Sequence, residues 1–404
     1  MPRLWPSSSW KEAHAEPKLV RKLGNNEAYQ LAMYILDQYR GTSVSCRYVV
    51  PGNLTGRDQR ETLIDKVQVA ISDNVLKHPV LQVGIMNAEP NQPTFVRLDS
   101  LDLRQHIEWR SLDTSADFES VFQELTILQL DATYSNLERQ PGWRIVVLHQ
   151  QETGFLEILF TWNHPHADGM SGNIFHLDLL RSLNAGGTNE KYCDSDAYIL
   201  KLPSTPTRFP PPIEQVMELP LDMKYLVKAM LTEGKPRVLH RSPTLAHWAP
   251  ITASSYKTQF RSFTIENGIL SKVLDACRHH PTTLTGLFHG LMLASLASHL
   301  GKEVASGFQS PTTINMRRFI PHGPPNYSWL DPEGTMGNFV TQIHHIFDAE
   351  LANQICTRVT PPLPVNEAVL FKELSALIWD AAARVRSEIA DKLEIGVKND
   401  VVGT

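Results

Sequence analysis

The sequence is poor in the features that mark disulfide-stapled, metal-bound and nucleic-acid-binding proteins. Its four cysteines in 404 residues are too few for a disulfide framework and show no paired metal-ligand spacing. They are Cys46, Cys193, Cys277 and Cys356. A formal charge of −5 gives no basic surface for nucleic acid. We therefore expect a protein of a reducing compartment that acts on small molecules.

Signals for secretion or membrane insertion are also missing. Residues 1–17 are polar and lack the apolar core of a signal peptide. The apolar stretch 284–300 is short and is interrupted by His289, Ser295 and His299, so we do not expect it to span a membrane. These patterns predict a cytoplasmic protein with no supported membrane contact. With 42% hydrophobic residues, the chain can bury a core large enough for two lobes.

One stretch places polar side chains at a strand end and then turns into a helix. Residues 155–162 form an almost unbroken apolar run, which predicts a strand buried on both faces. His164 follows this strand. Pro165 has no N–H to donate to a neighbouring strand and so ends the strand hydrogen bonding, and Gly169 is expected to permit a sharp turn. From Ser171 the apolar residues recur at helical spacing, so a helix is expected to pack back onto the sheet.

The spacing of His164 and Asp168 has little weight without this setting, because so short a motif recurs by chance. The chain contains a second copy, His344 and Asp348, but no glycine follows it and no helix start is evident. The adjacent His344 and His345 are expected to face opposite sides of a strand. The strand, turn and helix around the first copy therefore favour a chemical role for that copy alone.

A neutral imidazole near pH 7 can accept a proton from an alcohol, so His164 is the candidate general base. The activated hydroxyl would attack an acyl carbonyl directly, and the chain has no G-x-S-x-G motif to signal a protein nucleophile. Asp168 is better placed to hold the loop, and when buried it needs a partner such as an arginine.

Two other interpretations of these residues remain open. The first is a structural histidine beside a helix-capping aspartate. The second is a metal chelate of His164, His166 and Asp168, although Pro165 and the expected turn would send these side chains apart. We therefore predict no metal.

Periodicity predicts a mixed α/β protein along the rest of the chain. Helices are predicted at 26–40, 56–77, 117–130, 171–183, 266–280, 284–300 and 366–393, and strands at 42–50, 80–86, 94–98, 144–150, 257–265, 303–309 and 334–347. The helix at 284–300 is apolar nearly all round, so we expect it to be buried. A proline-rich crossover at 186–215 is expected to join a lobe at 1–185 to a second lobe at 216–404.

Four segments, in order from about residue 21 to 345, resemble a known family. The run from His164 to Gly169 resembles the H-x-x-x-D-G motif of the CoA-dependent acyltransferases, which include chloramphenicol acetyltransferase, plant BAHD enzymes and peptide-synthetase condensation domains. The closest resemblance is to fungal alcohol acetyltransferases. The other three segments are RKLGNNEAYQLAMYILDQYRG (21–41), HHPTTLTGLFHGLMLASLA (279–297), and Asn315-Met316-Arg317 together with MGNFV (336–340).

The resemblance implies a two-lobed chloramphenicol acetyltransferase-like fold with mixed sheets and an active-site tunnel between the lobes. His164 would deprotonate the acceptor alcohol, Asp168 would pair with Arg317, and Gly169 would permit the turn. Asn338 and Ser310 would line the tunnel or hold the oxyanion. The implied function is O-acyl transfer, with acetylation preferred, from acyl-CoA to an alcohol by a monomer with no permanently bound cofactor. Ester formation in fungal-type secondary metabolism fits this family.

Two departures from the family pattern leave alternatives open. Asn163 stands where condensation domains have a second histidine, which argues against peptide condensation. The plant D-F-G-W-G motif is missing, and relatives continue for several strands after the long helix at 366–393, so a shortened second lobe is expected. The alternatives are acyl transfer from a carrier protein to a secondary-metabolite alcohol, and an inactive protein that only binds acyl-CoA.

Overall fold

The chain folds into mixed sheets and helices, as its periodicity predicts. A computed structural model describes residues 18–86, 92–151, 153–185, 198–204, 208–227, 244, 256–301, 303–359 and 367–403. The first half contains β1 (Lys18–Lys22), α1 (Asn25–Ile35), β2 (Thr42–Val49), α2 (Arg60–Lys77), β3 (Val83–Met86), β4 (Thr94–Arg97), β5 (Ser100–Asp102), β6 (Ile107–Leu112), α3 (Phe118–Asp131), β7 (Trp143–Gln150), β8 (Phe155–Trp162), α4 (Gly169–Ala185) and β9 (Ile199–Lys201). The second half contains α5 (Ile213–Val216), α6 (Asn267–His279), α7 (Leu284–His299), β10 (Phe308–Asn315), β11 (Val340–Phe347), α8 (Ala349–Val359) and α9 (Glu367–Ile395).

The strand that leads to the site is an interior strand of the largest sheet. The sheet has the order β2-β8-β7-β6, and β8 runs antiparallel to both of its neighbours. The apolar run at 155–162 coincides with β8, and the predicted hairpin with β7 is confirmed. Because both edges of β8 are hydrogen-bonded, the end of this strand is a rigid support for the residues that follow.

Helices cover both faces of this sheet, which explains why β8 is apolar apart from Glu157 and Thr161. On one face α2 and α4 enclose Trp162 and Phe175 in the main core. On the other face α3 packs Phe118 and Leu125 against Leu159 of β8. A strand covered on both faces buries every side chain, so its sequence reads as a continuous apolar run.

The smaller sheets complete the two lobes. The predicted hairpin of β3 and β4 is confirmed, with β1 pairing on its outer edge, and β5 pairs with β9. In the second lobe, β10 and β11 form an antiparallel pair that packs against α7, α8 and α9. No helix within the described ranges is both long and apolar enough to cross a membrane.

Several predicted bounds are wrong for identifiable reasons. The helix predicted to reach residue 40 ends at Ile35, and Asp37 then takes a φ of 55°, a left-handed conformation that aspartate tolerates better than most residues. Residues 257–265 are not a strand, since they pair with no strand in the described chain and Phe263 is exposed. The strand predicted at 303–309 begins only at Phe308 and continues to Asn315.

Two helices of the second lobe also differ from expectation. Helix α7 is not buried all round, because Phe288, Leu291 and Met292 are exposed. Thr283 caps this helix, and its hydroxyl accepts a hydrogen bond from the Gly286 N–H. Helix α8 begins immediately after Asp348, although no helix was predicted there. Residues 186–197 and 205–207 of the predicted crossover, and most of 228–255, lie outside the described residues.

Candidate active site

His164 lies in the turn that follows β8 and is half-buried. The backbone N–H of Asn163 donates to the Gly142 carbonyl at 2.7 Å, and the Trp162 indole donates to the Ala167 carbonyl at 2.7 Å. These two bonds hold the turn at both ends. The imidazole is therefore fixed on a rigid support and remains partly accessible.

The surroundings of His164 favour its neutral form. Burial lowers the pKa of His164 from its ordinary value of 6.5, and the interaction of the ring with its own backbone carbonyl and the charge of Asp168 only oppose that change. A histidine with a lowered pKa is unprotonated at pH 7. It can therefore accept a proton there.

Asp168 is fully buried, and its carboxylate accepts four hydrogen bonds. One oxygen accepts from the backbone N–H and the hydroxyl of Ser171, both at 2.8 Å. The other accepts from Arg317 Nη1 at 2.7 Å and from the Phe339 N–H at 2.9 Å. Both oxygens are thereby occupied, so Asp168 holds the loop, as the sequence predicts, and its hydrogen bonds do not include the His164 ring.

Arg317 joins the second lobe to this loop. Its side chain is fully buried, forms the ion pair with Asp168 and also donates to the carbonyl oxygens of Thr335 and Gly337 at 3.1 and 3.3 Å. The guanidinium lies 4.9 Å from the centre of the Phe339 ring. The partner implied for Asp168 by the family resemblance is thus the one that the structure provides.

Gly169 does not have the role that the sequence suggested. It is the first residue of α4, its φ is not positive, and a β-carbon added to it would meet no atom within 4 Å. The turn is instead held by the side-chain bonds of Asp168 and Trp162. The expectation that glycine is needed for this turn is therefore wrong.

Asn338 lies beside His164, as expected for a residue of the site. Its Nδ2 donates to the His164 carbonyl at 3.0 Å and lies 3.4 Å from His164 Nδ1. Sequence reasoning missed Asn26, whose Nδ2 donates to Asn338 Oδ1 at 2.9 Å and so fixes which end of the Asn338 amide faces the histidine. It also missed Tyr39, whose ring centre is 5.7 Å from that of His164. Both lie in the 21–41 segment that carries the family resemblance.

Ser310 and His166 have other hydrogen-bond partners. No hydrogen bond joins Ser310 to His164, and the Ser310 hydroxyl lies 2.8 Å from His289 Nδ1 in the second lobe. His166 is buried, its Nε2 lies 3.2 Å from the Val83 carbonyl, and burial lowers its pKa to about 4. Within the described part of the chain, no group of histidine, cysteine and acidic residues has the geometry of a metal site.

A cavity of about 320 Å³ lies next to the loop that holds Asp168. Its wall includes Thr335 and Met336, which directly precede Gly337, and Gly337 accepts a hydrogen bond from the Asp168 N–H. Lys77, Arg208 and Trp329 also line it, and His164 does not. The cavity is therefore a neighbour of the buried ion pair, with cationic and aromatic groups in its wall.

The fold and the site define a mixed α/β protein in which an interior strand leads to a half-buried histidine, with a buried aspartate–arginine pair behind it. A family model described as alcohol acetyltransferase matches residues 68–344. The chain belongs to the alcohol acetyltransferase family.

Two curated proteins are similar over most of the chain. A probable alcohol acetyltransferase, FCK4 of Fusarium pseudograminearum, is 25% identical over 312 residues, which cover 76% of this chain and 62% of that protein. The uncharacterized protein C18B11.03c of Schizosaccharomyces pombe is 24% identical over 331 residues, covering 81% and 65%. The chain thus spans less than two thirds of the length of these relatives.

Solved structures show the same fold at low identity. TRI3, a trichothecene 15-O-acetyltransferase from Fusarium sporotrichioides, superposes with a TM-score of 0.62 at 15% identity, covering 97% of this chain and 76% of that one. The first condensation domain of the calcium-dependent antibiotic synthetase gives 0.52 at 14% identity, covering 93% and 78%. The predicted fold class is confirmed.

Proposed function

We propose that this protein is an O-acetyltransferase that moves an acetyl group from acetyl-CoA to an alcohol, with His164 as general base. Membership of the alcohol acetyltransferase family supports the type of reaction. The observation that carries the role of His164 is its half-buried position directly after an interior strand, where burial lowers the pKa of the ring. The His164 carbonyl accepts from Asn338 Nδ2 at 3.0 Å, which holds the residue in place.

A general base of this kind requires the tautomer of His164 that carries its proton on Nδ1. Asn338 is nearer to the carbonyl oxygen, at 3.0 Å, than to Nδ1, at 3.4 Å, so it donates to the oxygen. Nε2 then keeps its lone pair and can accept the proton, as a general base must.

The reaction follows from this tautomer in two proton transfers. The alcohol gives its proton to His164 Nε2 as its oxygen attacks the thioester carbonyl, and a carbon–oxygen bond forms. When the carbon–sulfur bond breaks, the proton on Nε2 passes to the departing thiolate. The products are an ester and free CoA. Asp168 and Arg317 keep the turn in place and take no proton.

We also propose the division into a lobe at 1–185, a crossover at 186–215 and a lobe at 216–404. The ion pair of Asp168 with Arg317 supports it, because the two side chains come from opposite sides of the crossover and meet where neither is exposed. A tunnel for substrates between the lobes is part of this proposal.

The test is release of CoA thiol, with ester detected by mass spectrometry, from acetyl-CoA and a panel of alcohols. We expect His164→Ala to lower kcat/KM by about a hundredfold to ten-thousandfold, the usual range for loss of a general base. His344→Ala is the matched control, since His344 has the same spacing to an aspartate but is exposed, and it should leave the rate unchanged.

Unchanged turnover in His164→Ala would contradict the role of that residue. Acetyl-CoA binding by the wild-type protein without thiol release would contradict the transfer function and favour a binding protein. Turnover only with an acyl-loaded carrier protein would contradict CoA as the donor.

A further inference from the structure

A second group of titratable side chains lies in the second lobe, outside the site already described. It contains two histidines, two hydroxyls and a carboxylate joined in a row by hydrogen bonds. We call it the relay: Ser310, His289, Thr312, His345 and Glu388. Its members come from four elements, namely α7, β10, β11 and α9.

Each pair of neighbouring side chains in the relay lies within hydrogen-bond distance. Ser310 Oγ lies 2.8 Å from His289 Nδ1, and His289 Nε2 lies 2.9 Å from Thr312 Oγ1. Thr312 Oγ1 lies 2.9 Å from His345 Nε2, and His345 Nδ1 lies 2.5 Å from Glu388 Oε2. Ser310 and Thr312 are two residues apart on β10, so both face the helices.

With both imidazoles neutral, the carboxylate fixes the direction of all four bonds. Ionised Glu388 can only accept, so His345 carries its proton on Nδ1 and must accept at Nε2 from the Thr312 hydroxyl. The Thr312 oxygen is then free to accept from His289 Nε2. This leaves His289 Nδ1 as an acceptor, and the Ser310 hydroxyl donates to it.

This arrangement is the one that activates serine hydroxyls: a base within hydrogen-bond reach, itself oriented by a further group that ends in a carboxylate. Burial lowers the pKa of His289, which keeps it unprotonated at pH 7. Ser310 is half-buried, so its oxygen can be reached. A charged group that also faces the relay is Arg384, paired with Glu388 at 3.5 Å.

We propose that Ser310 is a second reactive centre, a nucleophile activated by His289 that accepts an acyl group from an activated ester or thioester. The Ser310 oxygen bonds to the acyl carbon as its proton moves to His289 Nδ1, and that proton passes to the leaving alcohol or thiol as the bond to the donor breaks. Water then attacks the acyl-serine, gives a proton to His289, and Ser310 leaves with that proton. The net reaction is hydrolysis of the donor.

The chain contains its own control for this geometry. Ser298 Oγ lies 3.0 Å from His299 Nδ1, nearly the same distance as in the pair of Ser310 and His289. His299 Nδ1, however, lies 2.7 Å from the Ser295 carbonyl. A carbonyl can only accept, so this nitrogen carries the proton and cannot take another from Ser298. Proximity to a histidine is the same at both serines, and only Ser310 faces a base.

The experiment is labelling of the whole protein with a fluorophosphonate probe, followed by peptide mass spectrometry. We expect the label on Ser310 and none on Ser298, in the wild-type protein and in His164→Ala alike, which separates this centre from the proposed transferase site. Thr312→Val has nearly the same shape but interrupts the relay. It should slow labelling of Ser310 by about tenfold or more, since the base loses its orienting partner.

No label on Ser310, or equal labelling of Ser298, would overturn the proposal. Labelling at the wild-type rate in Thr312→Val with an unchanged melting temperature would also overturn it, because the hydrogen bonds would then serve only to hold the lobe together. If Thr312→Val does not fold, Glu388→Gln replaces it, since Glu388 is partly exposed. It should slow labelling, and an unchanged rate would count against the relay.

Discussion

The two His-x-x-x-Asp segments of this chain share more than their spacing. In each, the histidine lies near the end of a strand and the aspartate directly precedes a helix. Each carboxylate accepts a hydrogen bond from the backbone N–H three residues later, at 2.8 Å for Asp168 and 2.9 Å for Asp348. The two segments therefore share a strand followed by a helix that an aspartate caps.

What separates the two segments is burial and a partner from far along the chain. Asp168 is 0% exposed and paired with Arg317, whereas Asp348 is exposed. His164 is half-buried beside Asn338, and His344 lies on the exposed face of β11. Both segments thus have the same local backbone structure. Only the first becomes a candidate site, because residues of the second lobe bury it and bind to it.

The largest expected difference is in stability. Asp168→Asn and Asp348→Asn are the same change, and asparagine caps a helix about as well as aspartate. At 168 the change leaves the Arg317 charge buried without its partner, so we expect a loss of about 3–5 kcal/mol in the free energy of unfolding. At 348 we expect a change within about 0.5 kcal/mol. Chemical denaturation measures both, and equal losses would contradict the distinction.

The next difference concerns the amide that only the first segment has. Asn338→Ala removes the bond to the His164 carbonyl, and one such bond is worth about 0.5–1.5 kcal/mol, so kcat/KM should fall by about two- to tenfold. A loss beyond about a hundredfold would instead give Asn338 a direct oxyanion role.

Asn26 serves as the control for this measurement. If it acts only by orienting Asn338, the double variant Asn26→Ala with Asn338→Ala should lose no more activity than Asn338→Ala alone. Losses that add would show that Asn26 acts independently of Asn338.

The smallest difference is at the residue after each aspartate, Gly169 in one segment and Ala349 in the other. Both begin a helix, and a β-carbon at 169 would meet no atom within 4 Å. We expect Gly169→Ala to raise the free energy of unfolding by about 0.4–1 kcal/mol and to keep the activity. Retained stability with lost turnover would show that substrate needs the space beside this glycine.

The sequence predicts local structure around the site well and the partners across the fold poorly. Strand β8 and its hairpin follow from an apolar run that only a doubly covered strand needs. The helix after Asp348 was not predicted, because no glycine follows this aspartate. An aspartate cap and an amphipathic run are nevertheless sufficient to begin a helix. The strand predicted at 257–265 does not form, because alternating apolar and polar residues do not by themselves provide a neighbouring strand to pair with.

The contacts between distant segments could not be predicted from local patterns. Arg317 was identified as the partner of Asp168 through the family resemblance, since nothing local marks one arginine among many. Asn26 and His289 carry no signal of their own, because each acts through a residue that folding brings near. Such pairs are set by tertiary packing, which a single sequence does not display.

The most direct test of the central claim, that His164 acts as a neutral base in a partly buried site, is the pH dependence of kcat/KM from about pH 5 to pH 8. A protonated imidazole cannot accept a proton, so the rate should fall as the pH drops through the pKa of His164. Burial lowers that pKa, so the midpoint should lie below 6.5 and this limb should be absent from the residual activity of His164→Ala. A midpoint at or above 6.5, or the same limb in His164→Ala, would contradict the account.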